Sequence, residues 1–166
     1  MSSNPEVTVA AVVEHEGRFL IVEERIAGRL VLNQPAGHLE DRETLVEAAV
    51  REAREETAWR FEPVAMVGTY LWRNPDSGRS YLRFAFCGSV DDHHPLQSLD
   101  TGIVRALWMT HEQLRAQPHR LRSPLVLRCI EDYLLGKRQP LESVACLGLE
   151  TALQGHDFGP IAVVNL

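Results

Sequence analysis

The sequence predicts a layered α/β fold, a mixed β-sheet held between helices. Three observations predict it: a nearly continuous apolar, β-branched run over residues 7–13, several further strand-like segments, and an amphipathic helix set among them. Val7–Val13 reads as a central strand covered on both faces. Glu16-Gly17 forms a tight turn into Arg18–Val22, its hairpin partner. Leu30–Leu32 is a short strand that stops at Pro35, and Glu43–Thr57 has helical spacing. Val64–Trp72 and Tyr81–Val90 read as strands joined by the turn sequence Asn74-Pro-Asp-Ser-Gly78. In the second, Leu82, Phe84 and Phe86 alternate with Tyr81, Arg83 and Ala85, so its two faces differ. Ile103–Met109 is another strand, and Thr110 begins a short helix. Ser123 as N-cap and Pro124 at the first helical position open a last helix that Gly136 ends. The pattern weakens from Pro140 onward. The expectation is one domain over residues 1–166, with a core over 6–142 and a C-terminal extension, 143–166, of no assigned role.

Composition excludes several function classes. The chain has 45% hydrophobic and 24% charged residues, as soluble domains do. A formal charge of -6 argues against a nucleic-acid or anionic-membrane surface. Cys87, Cys129 and Cys146 are far apart and form no CxxC pair, which argues against a disulfide framework or a cysteine zinc site. No basic segment followed by an apolar one opens the chain, and the expected location is cytoplasmic. The acid is concentrated. Residues 37–59 hold seven carboxylates against three arginines, which is -4 of the -6.

The helix in that window breaks three rules at once. Thr44-Leu-Val-Glu47 is a capping box, so the helix starts near Leu45. Leu45, Val46, Ala48, Ala49, Val50 and Ala53 then form one apolar arc, while Glu47, Arg51 and Arg54 point away and can pair in water. Glu52 and Glu56 fall inside the arc, with Glu55 at its edge. They are charges on a face meant for burial, like-charged neighbours at helical spacing, and anions near the helix C-terminus. Local rules that fail together mark a functional site, and the missing component is a hard cation such as Mg²⁺ or Mn²⁺. The competing reading, a solvated acidic face, accounts for Glu47, Arg51 and Arg54 but poorly for Glu52 and Glu56.

Gly37–Trp59, GHLEDRETLVEAAVREAREETAW, resembles the signature box of the Nudix hydrolase family. Gly37, Glu43, Arg51, Glu52, Ala53, Glu55 and Glu56 fall at the family's spacing, and Ala58 stands where the family has Gly. VTVAAVVEHEGRFLIVEE, LNQPAGHLE, YLRFAF and LRSPLVLRCIEDYLLGKRQPLE extend the likeness over most of residues 6–142, toward the family's NudJ phosphatase subgroup.

The resemblance implies a Nudix-type α/β/α sandwich and Mg²⁺-dependent hydrolysis of nucleoside di- and triphosphates and related pyrophosphates, the thiamine pyrimidine pyrophosphate among them, with release of inorganic phosphate. It implies that Glu52, Glu55, Glu56 and the carbonyl of Ala36 bind the metal, with Mn²⁺ as a substitute. Glu52 would also orient or deprotonate the attacking water, Arg51 would hold the glutamates, and Glu43 would support the loop. Asp100 is the best candidate for a further acidic group, ahead of Asp91 and Asp92. Arg83 and Arg29 are candidate phosphate contacts, Arg25 a lesser one, and Tyr70, Trp72 and Tyr81 candidate ring-stacking contacts. Each also has a plain reading: a solvated aspartate, a paired arginine, a core aromatic. The expected partner is a small phosphorylated molecule, with the chain a monomer or homodimer. Cleavage within a nucleotide-sugar or dinucleotide diphosphate is the alternative enzyme reading. A nucleotide sensor without turnover is the alternative outside enzymes.

Overall fold

The computed structural model describes residues 4–149. It has strands β1 (Glu6–His15), β2 (Arg18–Ile26), β3 (Arg29–Asn33) and β4 (Ala36–His38), then helix α1 (Leu45–Thr57). Strands β5 (Arg60–Arg73), β6 (Ser80–Asp91) and β7 (Ile103–Thr110) follow, with helices α2 (His111–Arg115) and α3 (Leu125–Leu134) after them. The class is mixed α/β, as expected: β1 runs parallel to β6 and antiparallel to its other partners.

The apolar run of β1 has its reason in two-sided burial. Val9, Ala11 and Val13 pack with Leu45, Ala48, Ala49 and Ala53 of α1, while Ala10 and Val12 pack with Leu114 of α2 and Cys129 and Ile130 of α3. Strand alternation sends successive side chains to opposite faces, so a strand between two helical layers must be apolar at every position.

The hairpin of β1 and β2 forms only near its turn. Glu16 and Gly17 both have positive φ, 49° and 74°, and the strands pair at Glu14–Phe19 and His15–Arg18. They then splay apart. β1 takes β4 and β6 as neighbours, and β2 takes β3 and β7. β4 is an addition to the sequence reading: Pro35 ends β3, yet Ala36–His38 pairs again, with Ala10, Val9 and Thr8 of β1. β2 also runs four residues beyond the expected Val22, and turns through Ala27 and Gly28, both at positive φ, into β3.

The capping box of α1 is formed in full. Glu47 N–H donates to Thr44 Oγ1 at 3.1 Å, and Thr44 N–H donates to Glu47 Oε2 at 2.8 Å. Ala58 closes the helix at φ 60°, the left-handed conformation that glycine adopts more easily. At α3, Ser123 Oγ accepts from Leu125 N–H, and the helix runs from Leu125 with Pro124 already at helical dihedrals. Gly136, at φ 78°, follows its end. Leu141 and Val144 pack against the α1 side of the core, so ordered packing continues past residue 142. Residues 150–166 of the expected C-terminal extension lie outside the described residues. No helix among the described residues is long and apolar enough to cross a membrane.

Candidate active site

The buried face of α1 carries two carboxylates, as its spacing predicts: Glu52 and Glu56 are 8% and 7% exposed among the alanines. Their surroundings differ. Glu56 Oε2 accepts from Ala36 N–H at 2.8 Å. Burial pushes its pKa up to about 8, against that hydrogen bond, and the charges of Glu52, Glu24 and Asp100 push the same way. Glu52 is also raised, first by burial, with Arg51 opposing.

Arg51 does not reach into water as expected. Its guanidinium donates to Glu43 at 2.9 and 2.7 Å, to Glu52 at 2.8 Å, to Glu55 at 3.1 Å and to the carbonyl of His38 at 3.0 Å. It ties the loop before α1 to the acidic face of the helix. Arg51 hydrogen bonding holds Glu43 below its ordinary range. Glu47 serves the N-cap, and Arg54 donates to the carbonyls of Ala58 and Asp92, so the pairing of Glu47 with the arginines that the sequence allowed does not form among the described residues. Gly37 has its own steric reason: a Cβ there would collide with the Glu52 carboxyl.

Beside these residues lies a cleft of about 370 Å³. It brings together Ala36, Glu52, Glu56, Arg83 and Asp100 of the sequence-derived candidates, with Trp72 and Tyr81, whose rings stack on one another at 5.7 Å. Asp100 is held against α1 itself, its N–H donating to the Glu55 carbonyl at 2.9 Å, with Gln97 Nε2 donating to the Arg54 carbonyl at 2.7 Å. Three buried polar atoms of cleft residues have no partner among the described residues, Thr8 Oγ1, Asn33 Oδ1 and Arg83 Nε, while Glu24 Oε1 faces Arg122 Nε at 3.6 Å. Buried polar atoms are rarely left so, and their concentration here points to a ligand.

Other candidates lie elsewhere. Tyr70 is two residues before Trp72 on β5 but sits under α3, where its hydroxyl donates to Asp132 at 3.0 Å; it does not line the cleft. Arg29 is exposed at the start of β3, and Arg25 is exposed on β2, both away from the cleft lining. Glu55 is half-exposed and turned onto Arg51 rather than into the cleft. Asp91 pairs with Arg60 on the surface, and His94 meets Arg54 while His93 stacks on Trp59. Sequence reasoning missed Thr8, Glu24 and Asn33. The available signal was polar side chains within or beside strands whose neighbours are core.

The donor set fits a hard cation in chemistry: oxygen only, with a buried carboxylate surrounded by three others. Among the described residues no three acidic, His or Cys side chains stand close enough to make a finished cage. Glu52 is engaged by Arg51 instead.

The NUDIX domain model matches residues 4–128. Phosphatase NudJ of Escherichia coli K12 is 46% identical over 140 residues, 84% of this chain and 90% of that protein. A NUDIX hydrolase from Nitrosomonas europaea superposes with a TM-score of 0.84 at 47% identity, covering 86% of this chain and 97% of the other. At 23% identity, a bifunctional NMN adenylyltransferase/ADP ribose pyrophosphatase from Francisella tularensis, complexed with AMP and an Mn ion, shares the fold with a TM-score of 0.60. That match covers 80% of this chain and 42% of that one.

Proposed function

The chain belongs to the Nudix hydrolase family, and from that premise we propose that it is a Mg²⁺-dependent phosphohydrolase of small organic di- and triphosphates that releases inorganic phosphate. The substrates are nucleoside tri- and diphosphates and related pyrophosphates, the thiamine pyrimidine pyrophosphate included. The observation that carries the reading is Glu56: a buried carboxylate on a cleft wall, among Glu52, Glu24 and Asp100, with one N–H and no Lys, Arg or His partner among the described residues. Likeness to a phosphatase over 84% of the chain supports phosphate as the product.

Glu52, Glu55 and Glu56, with the Ala36 carbonyl, would hold the metal in this reading. Bound Mg²⁺ supplies charge neutralisation on the phosphate and lowers the pKa of a water. Glu52 would orient the attacking water and accept its proton. Arg51 keeps Glu52 and Glu55 on one side of the helix, and Asp100 adds an acidic group to the same wall. Arg83 binds substrate. No covalent nucleophile is required, because phosphoryl transfer depends on positioning and electrostatics. The whole chain acts as one domain on a small cytoplasmic molecule.

A phosphate-release screen with Mg²⁺, across nucleotides and other organic pyrophosphates, tests this when the second product is identified. Orthophosphate plus a substrate shortened by one phosphate is expected. Two phosphorylated halves would show cleavage inside the diphosphate. No turnover across the panel, with Glu55→Gln leaving ligand binding intact, would identify a sensor.

A further inference from the structure

The loop between β6 and β7, residues 92–102, brings Asp100 to the cleft by way of the C-terminal end of α1. The last carbonyls of a helix have no partner within it. Here the loop supplies donors. His94 N–H donates to the Ala58 carbonyl and Asp100 N–H to the Glu55 carbonyl, both at 2.9 Å, and Gln97 Nε2 donates to the Arg54 carbonyl at 2.7 Å. Of these three contacts, only that of Gln97 is made by a side chain. Arg54 fastens the first residues of the loop through the Asp92 carbonyl and His94. Gln97 lies between that anchor and Asp100.

Gln97 is placed against the usual preference. Its neighbour Leu96 is 98% exposed, while Gln97 itself is half-buried. An apolar side chain ordinarily takes the inward position and an amide the outward one, and a local rule broken in this way marks a functional constraint. Helix termination is not that constraint. The Arg54 carbonyl also accepts from Ala58 N–H at 3.0 Å, and left-handed Ala58 already closes α1. What the amide fixes is the course of the three residues that lead to Asp100. Asp100 Oδ1 accepts from Thr101 N–H at 2.7 Å, a bond within the loop that travels with it. The charge of Asp100 bears on both Glu52 and Glu56, so its distance from them depends on where the loop lies.

We propose that Gln97 is a positioning residue, whose amide docks the β6–β7 loop on the Arg54 carbonyl and so holds the Asp100 carboxylate beside Glu52 and Glu56 for metal binding. This rests on the reading of those carboxyls as the metal site and adds a residue outside the cleft lining that sets its geometry.

Gln97→Met and Gln97→Leu each remove the donor at similar side-chain size, and thermal melts identify the folded variants. Mn²⁺ affinity of the full chain, measured by electron paramagnetic resonance, reads the site without turnover. Either folded variant is expected to bind Mn²⁺ about tenfold more weakly, as loss of a supporting hydrogen bond around a metal site does. The same substitution is then made in an Asp100→Asn background. A residue that acts through Asp100 has nothing left to position there, so the pair is expected to weaken binding no more than Asp100→Asn alone. A merely structural role would instead add its own loss. Unchanged Mn²⁺ affinity in a folded Gln97 variant, or a further loss on top of Asp100→Asn, overturns the proposal while leaving the metal site in place. An unmodified chain that binds no Mn²⁺ overturns the metal-site reading and the role of Gln97 with it.

Discussion

At the scale of single residues, the two carboxyls on the buried face of α1 sit where an apolar side chain would suit the fold better. Glu56 is held in an apolar layer where its ionised form is disfavoured. Glu56→Gln is therefore expected to raise the melting temperature of the metal-free protein at pH 8 or above, by about 3–6 °C on a scale of ~1 kcal/mol per few degrees. It should also lower Mg²⁺-dependent turnover by about 100-fold or more, as removal of a group essential to charge stabilisation does. A scanning melt and a phosphate assay on the same preparation check both; a less stable variant with full turnover contradicts the assignment. Gly37→Ala tests the steric claim. Its Cβ forces the Glu52 carboxyl from its place, so kcat is expected to fall while circular dichroism stays native. Glu52 and Glu56 were legible because helical spacing alone places them on the buried arc. Thr8 and Asn33 were not, because what marks them is unmet hydrogen bonding in a cleft assembled from distant strands.

At the scale of elements, α1 shows which parts of a structure local chemistry encodes. Its start was readable to the residue, since the capping box is contained in Thr44–Glu47. Its end was readable as a conflict, Ala58 in place of Gly, and the structure keeps the left-handed conformation in spite of the Cβ. Ala58→Gly is expected to stabilise the protein by about 1 kcal/mol, the usual cost of a left-handed non-glycine residue, measured by urea unfolding. An unchanged or lower midpoint would show that the Ala58 side chain, 2% exposed, contributes packing that outweighs the strain. The loop after β6 is fastened to the same helix end through His94, Gln97 and Asp100, which links the position of Asp100 to that of Glu55 and Glu56. No periodicity in the loop announces this. Strand β4 was hidden for a related reason: Pro35 signals a stop, and the partner that restarts pairing lies on β1, far away in sequence.

At the scale of the molecule, the layers were legible and the sheet order was not. Apolar runs report how many faces are covered, whereas the parting of β1 and β2 depends on pairings with β6 and β7 that sit 75 to 92 residues away. The acidic balance likewise acquires a place: much of it lies beside one cleft, where the proposed cation would offset it. This gives stability a pH dependence of known sign. A carboxyl whose pKa rises on folding, from 4.5 to about 8 for Glu56, stabilises the fold fully below pH 4.5 and loses that contribution as pH rises through 8. The metal-free protein is thus expected to melt progressively lower between pH 5 and pH 9, and saturating Mg²⁺ to remove most of that slope. A slope unaffected by Mg²⁺ would place the cation elsewhere. The most direct measurement is a Mn²⁺ titration, followed by electron paramagnetic resonance, of the unmodified chain and of the Glu52→Gln/Glu56→Gln variant. The account predicts that the unmodified chain depletes the free-ion signal and the folded variant does not; equal depletion by both would contradict it.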